Sequence, residues 1–210
     1  MVEVCPWREF DVTDKHSVAV WRDADFEAIA MRALQEVEDN GVIEFDKQCK
    51  VFGKEYQRPR GTVFFADEDM SGYKYGGGKD EPQCIVEGSA IGELLAHANR
   101  YAGADKFHGV LLNYYRDGKD SVSLHEDKDV CDDEFLGVLS ISLGCCRVMG
   151  FKSKTGYTTI TKEDGMVMGM CGEGFQKHIK HEIKAVRKAP VGWSASFTFR
   201  RHVSRKRKRA

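Results

Sequence analysis

The sequence predicts an α+β fold, with helices packed outside a mostly antiparallel double sheet. Two observations predict it. Apolar residues recur at helical spacing in two stretches of the first hundred residues, and from Phe107 onward short apolar or alternating runs separated by turn residues take over. A third observation sets the organisation: with no internal repeat and no dividing linker, residues 1–203 read as one domain followed by a basic tail over 204–210.

Each element has its own signal. Ala24 to Glu38 sets Phe26, Ile29, Ala30, Ala33, Leu34 and Val37 on one helical face, with Asp23 as N-cap and Gly41 as stop. A loop-rich region then runs from Gly72 to Gly88, centred on Gly76-Gly77-Gly78. The second helix, Ser89 to Tyr101, turns Ile91, Leu94, Leu95 and Ala98 inward and ends at Gly103. Strands are expected at Gly109–Tyr115, Gly137–Leu143, Val148–Phe151, Tyr157–Thr161, Gly165–Met170, His181–Val186 and Ala195–Arg200.

Composition narrows the class. The chain has 210 residues, 41% of them hydrophobic and 31% charged, enough for a buried core and ordinary for a globular protein. No apolar run approaches the length of a membrane span and no basic-then-apolar leader opens the chain, so neither a membrane nor a secretory signal is expected. Seven cysteines without a CxxC pair point to reduced thiols in an intracellular protein, not to a disulfide framework or a zinc site. The net charge of −1 is uneven: Arg200, Arg201, Arg205, Lys206, Arg207, Lys208 and Arg209 supply seven positives, which leaves residues 1–199 at −8. So acidic a body argues against tight non-specific duplex binding. The tail has the composition of an import signal or an electrostatic arm. The expected location is intracellular, nucleus or cytoplasm, and the expected state is a monomer.

The chemistry concentrates in the stretch from Asn113 to Asp129, where His125 and Asp127 stand two residues apart just after a strand. In extended chain, residues i and i+2 share a face, so His125 and Asp127 can grip one ion while Glu126 turns away. One more histidine from the 174–183 segment completes a 2-His-1-carboxylate set, which holds Fe(II) on three sites and leaves the others open. His178 and His181 are three apart and on a strand would face opposite ways, so only one enters the site. Arg200, in Thr198-Phe199-Arg200, offers a guanidinium suited to clamping a carboxylate.

These motifs, in this order, over roughly residues 45–203, resemble the AlkB family of Fe(II)/2-oxoglutarate-dependent nucleic-acid dioxygenases, and most of all its duplex-repairing branch. The matching pieces are Asn113-x-Tyr115, the run from Ser123 to Asp129, Ser140-Ile141-Ser142-Leu143-Gly144, Gln176 to His181, and Thr198-Phe199-Arg200. The resemblance implies a double-stranded β-helix (jelly roll) with helices outside and a nucleotide-recognition lid. It also implies Fe(II), 2-oxoglutarate and O2 as cofactors, and alkylated DNA or RNA as substrate. The implied iron ligands are His125, Asp127 and His181, the last preferred to His178 because the family's Gln-x-x-x-x-His spacing ends there. Asn113, Tyr115 and Arg200 match positions that hold 2-oxoglutarate, Arg200 on the carboxylate nearest the metal, and Ser196 is grouped with them. Asp129 matches an acidic residue that approaches the damaged base, and Tyr73 and Tyr75 match a tyrosine pair in the lid. Val51-Phe52-Gly53-Lys54 is similar to the segment that wedges a phenylalanine into the base stack, with Arg58 and Arg60 then expected on phosphates.

One departure stands out. The family places a second arginine six residues before Arg200, on the far carboxylate of 2-oxoglutarate, and here that position is Ser194. Lys184, Arg187 and Lys188 are the candidate replacements near it. Two rival readings follow: an oxygenase of the same chemistry acting on protein or a small molecule, and an AlkB-like nucleic-acid-binding protein that is non-catalytic or differently fuelled.

Overall fold

The structure is a computed structural model that describes residues 8–51, 53–66, 73–75, 78–102, 107–127, 136–188 and 190–201. Two strands that the hydrophobic pattern does not announce open it, β1 (Arg8–Asp11) and β2 (Ser17–Arg22). Helix α1 (Ala24–Asp39) buries Phe26, Ala30, Ala33, Leu34 and Val37, the face its spacing predicts. Its cap is the expected one: Asp23 Oδ1 accepts from the Phe26 amide at 2.9 Å. The other Asp23 oxygen sits 2.9 Å from His97 Nε2 and also accepts from the Tyr101 hydroxyl, tying the start of α1 to α2 (Ala90–Ala102).

Between the helices lie β3 (Gln48–Val51), β4 (Lys54–Gln57), β5 (Gly61–Ala66), β6 (Tyr73–Tyr75), β7 (Gly78–Asp80) and β8 (Gln83–Cys84). The region expected as loop therefore carries three short strands. Among the described residues β6 and β7 pair with each other alone, and β8 adds to the edge of β5. Segments of two or three residues give no readable alternation, which is why glycine content dominates the sequence signal there.

The second half has the seven expected strands in order, and adds β10 and the single turn α3, which the pattern did not announce: β9 (Gly109–Tyr115), β10 (Val122–His125), β11 (Leu136–Gly144), β12 (Arg147–Lys152), β13 (Tyr157–Lys162), β14 (Met166–Cys171), α3 (Phe175–His178), β15 (Lys180–Ile183) and β16 (Ser194–Arg200). Eight strands form one sheet in the order β1-β2-β14-β11-β16-β9-β5-β8, and four form a second in the order β10-β15-β12-β13. The central four of the large sheet face the small one, which is the two-layered jelly roll; β1–β2 and β5–β8 extend the large sheet on either side.

Strand β16 shows how the layers divide the work. Ala195, Phe197 and Phe199 join the core shared with α1 and α2, while Ser194, Ser196, Thr198 and Arg200, equally buried, face the small sheet. Val138, Met149, Phe151, Ile160, Met168 and Met170 fill the space between the sheets. A buried row of serines, a threonine and an arginine among those apolar groups marks a site, because buried polar groups without partners are costly. Among the described residues no helix is long and apolar enough to cross a membrane.

Candidate metal and co-substrate site

The three residues expected to hold a metal converge from two neighbouring strands of the small sheet. His125 ends β10 directly opposite His181 of β15, and their rings stand 4.3 Å apart. Asp127 lies two residues beyond the end of β10, where its amide donates to Gln176 Oε1 at 3.0 Å. Gln176 reaches that point because the chain turns sharply after β14. Gly172 takes φ 114°, and a Cβ there would meet the Lys15 carbonyl oxygen at 2.4 Å. The same turn settles which histidine enters: His178 is exposed on α3 beside the His16 ring, whereas His181 is buried.

His125 Nε2 is 3.7 Å from Asp127 Oδ1, His181 Nε2 is 4.0 Å from Oδ2, and one ligand atom from each residue lies within 4.8 Å of the others. His125 Nδ1 is 2.9 Å from the Ser123 carbonyl oxygen, which can only accept. The proton therefore sits on Nδ1, and the Nε2 lone pair faces the cluster. Burial lowers the pKa of His125, and burial followed by the adjacent His125 ring pushes His181 down to about 3, so both rings are neutral, as metal ligation requires. Arg200 Nη2 holds Asp127 Oδ1 at 2.9 Å with both side chains almost fully buried. Two neutral imidazoles and an ionised carboxylate on one side of a cavity form the donor set that suits Fe(II).

Of the expected co-substrate residues, Asn113, Tyr115, Ser196 and Arg200 all line the same cavity as the triad. Arg58 and Arg60 require a correction. They are 0% and 1% exposed, Arg58 donating to Thr62 Oγ1 at 2.5 Å and Arg60 Nε to Asn113 Oδ1 at 2.7 Å. Guanidiniums turned into the interior do not meet a nucleic-acid backbone; Arg60 belongs to the cavity wall instead. Phe52 and Asp129 lie outside the described residues. Tyr73 and Tyr75 begin and end β6.

The expected replacements for the missing arginine do not enter the cavity either. Lys184 is exposed with its amine over the Tyr157 ring, and Arg187 and Lys188 line a surface groove with Asp117 and Gly118. Two other cations lie near Ser194. Arg147 is 3% exposed, with Nη1 3.5 Å from Ser194 Oγ and its guanidinium over the Tyr115 ring. Lys162 is 7% exposed and lines both the triad cavity and the smaller one at Ser194. The signal for Lys162 was present as period-2 alternation: it shares a face with Ile160. A lysine at the end of a strand, however, reads as a solvated terminus.

The family model of the 2OG-Fe(II) oxygenase superfamily matches residues 27–208. The chain belongs to that superfamily. A curated relative, the DNA oxidative demethylase ALKBH2 of Arabidopsis thaliana, is 26% identical over 105 residues, which is 50% of this chain and 33% of the relative. The chain thus matches about a third of that relative's length. A solved structure of OsALKBH1 superposes with a TM-score of 0.59 at 16% identity, covering 93% of this chain and 100% of the other, and speaks for the fold. As a member of that superfamily the chain is a dioxygenase whose cofactors are Fe(II), 2-oxoglutarate and O2, and the relatives it resembles here are AlkB homologues.

Proposed function

We propose that this AlkB-like oxygenase is an oxidative demethylase of N-alkylated bases in DNA or RNA. The observation that carries the reading is the convergence of His125, Asp127 and His181 on one side of a cavity lined on the other by Asn113, Tyr115 and Arg200. The match to a DNA oxidative demethylase supports the substrate class. With 2-oxoglutarate and O2, bound Fe(II) supplies the oxidation of a C–H bond, one oxygen atom passing to the substrate carbon and the other to succinate as CO2 leaves. An N-methyl group hydroxylated in this way breaks down to formaldehyde and the free base nitrogen.

The chain's own residues do the positioning. His125, Asp127 and His181 would hold the ion from one side and leave the remaining positions open to the cavity. Arg200, fixed on Asp127, is placed to reach the co-substrate carboxylate next to the keto group. Asn113 has its carbonyl engaged by Arg60, which leaves its amide N–H groups to donate. Val122, Met149, Met170 and Ile183 line the cavity with apolar surface and limit water at the reacting carbon. On the substrate side, the motif match assigns Tyr73 and Tyr75 to stacking on the base and its phosphates. It assigns Phe52 to the gap left by an extruded base. Asp129 would attract a base made cationic by ring-nitrogen alkylation more than a neutral one.

The test is release of formaldehyde and succinate from methylated oligonucleotides by the wild type and by Asp127→Ala. The wild type should release both in equal amounts and the variant neither. Succinate from the wild type without formaldehyde from any nucleic acid would move the activity to another substrate class. Equal turnover by both proteins would exclude the metal mechanism.

A further inference from the structure

We propose that Lys162, with Arg147 beside it, binds the distal carboxylate of 2-oxoglutarate in place of an arginine at position 194. This rests on the co-substrate reading above and concerns only its far end.

Lys162 pairs with Arg147 across β13 and β12, and both side chains enter the space between the sheets. No described residue offers the Lys162 ammonium a hydrogen bond or an ion pair, although the residue is only 7% exposed. Arg147 donates to the carbonyl oxygens of Asp120, Lys184 and Asp117 and to Ser194 Oγ, and its Nε has no partner among the described residues. Among the described residues no carboxylate forms an ion pair with either group; the Asp120 carboxylate, which acts on Arg147 from a distance, is itself held by Arg116. Two adjacent buried cations with no ion-paired carboxylate are a costly arrangement that a bound anion relieves.

The position fits the length of the co-substrate. On β12, Arg147 is four residues from Phe151, the register partner of His181, which is about 13 Å of strand. A lysine side chain reaching back from that level and a five-carbon dicarboxylate span the gap together. Lys162 alone of the two cations borders both cavities, which puts its side chain between the triad and Ser194. Ser194 is small where Arg147 Nη1 comes within 3.5 Å, so the guanidinium from β12 occupies room that a long side chain on β16 would need. The cation has moved from one sheet to the other, and a point-charge ammonium replaces a bidentate fork.

The test is calorimetric titration of anaerobic, Mn(II)-loaded protein with 2-oxoglutarate and with 2-oxopentanoate, the same chain ending in a methyl group. Wild type should prefer 2-oxoglutarate by roughly 100-fold, and Lys162→Met should lower that preference to a few-fold by weakening 2-oxoglutarate alone. Lys162→Arg, which keeps the charge, should retain most of the preference. Loss of an unpaired buried charge should also raise the ligand-free melting temperature of Lys162→Met by roughly 3–6 °C, which shows that the variant folds. Unchanged 2-oxoglutarate affinity in Lys162→Met overturns the proposal and leaves the oxygenase reading standing. Mn(II)-loaded wild type that binds no 2-oxoglutarate overturns both.

Discussion

The two ends of one cavity follow opposite electrostatic plans. At the metal end the buried guanidinium of Arg200 is matched by the Asp127 carboxylate at 2.9 Å, and the two imidazoles are neutral. At the far end Arg147 and Lys162 lie side by side, and among the described residues no carboxylate forms an ion pair with either. The metal end is balanced within the protein until an ion arrives. At the far end the nearest described carboxylate, Asp120, is held by Arg116, so a bound anion would add the missing ion pair. That contrast separates residues that hold the fold and the ion from residues that wait for a ligand, and it can be broken from either side.

The largest effect is expected from Asp127→Ala, which removes a proposed metal ligand and the carboxylate that Arg200 meets at 2.9 Å. Formaldehyde release should fall to background, and the ligand-free protein should lose about 3–5 kcal/mol of stability in a denaturant melt. Lys162→Met, at the other end, should change stability in the opposite direction. A melt showing both variants equally destabilised would erase the contrast.

Restoring the family's residue is the next test. Ser194→Arg places a second guanidinium where Arg147 already lies, so it should lower stability by about 1–3 kcal/mol and weaken 2-oxoglutarate binding. Tighter binding in calorimetry would show that the far end has room and lacks a cation. A smaller effect is expected from Gln176→Ala, which frees the Asp127 amide without touching the ion. Its affinity for Mn(II) should drop about 10- to 100-fold while the preference for 2-oxoglutarate over 2-oxopentanoate stays as in wild type.

The smallest effect is a pH dependence. Burial, then Arg147, pushes the Lys162 pKa down to about 8 from its ordinary 10.5. The charged and titratable groups around its cavities are Arg147 on β12, Cys145 just before it, Tyr115 on β9, His125 on β10, Asp127 beyond it, His181 on β15, Arg200 on β16 and Arg60. Between pH 8 and 10.5 the unfolded chain binds more protons at this position than the folded one, so ligand-free stability measured against Lys162→Met should rise with pH in that window. An anion needs the ammonium form, so affinity for 2-oxoglutarate should weaken above pH 8, by up to about tenfold per pH unit. A pH-independent difference between the two proteins would show that Lys162 does not titrate there.

The same division explains what the sequence could reveal. Long periodic elements were legible: α1 with its Asp23 cap, α2, and the inner strands of the jelly roll lie where spacing puts them, within a residue or two at most ends. The metal end was legible because His125-x-Asp127 is local and its partner His181 lies at a fixed step from Gln176. The strands before α2 were not legible. β1 has all four residues exposed, and β6 to β8 are too short for a pattern. The far end was hidden for a different reason. Arg147, Lys162 and Ser194 come from three strands, and only the pairing of β12 with β13 and the facing of the two sheets bring them together. Arg58 and Arg60 misled because arginines flanking a proline read as an exposed basic loop, while β5 and Asn113 draw them inside.

The claim on which the rest depends is that His125, Asp127 and His181 bind one ion and His178 does not. Anaerobic titration with Mn(II), followed by the loss of the free-ion magnetic resonance signal, tests it directly. Wild type and His178→Ala should each take up one ion per chain, and His181→Ala should take up none at the same concentrations. Full uptake by His181→Ala, or its loss in His178→Ala, would contradict the account.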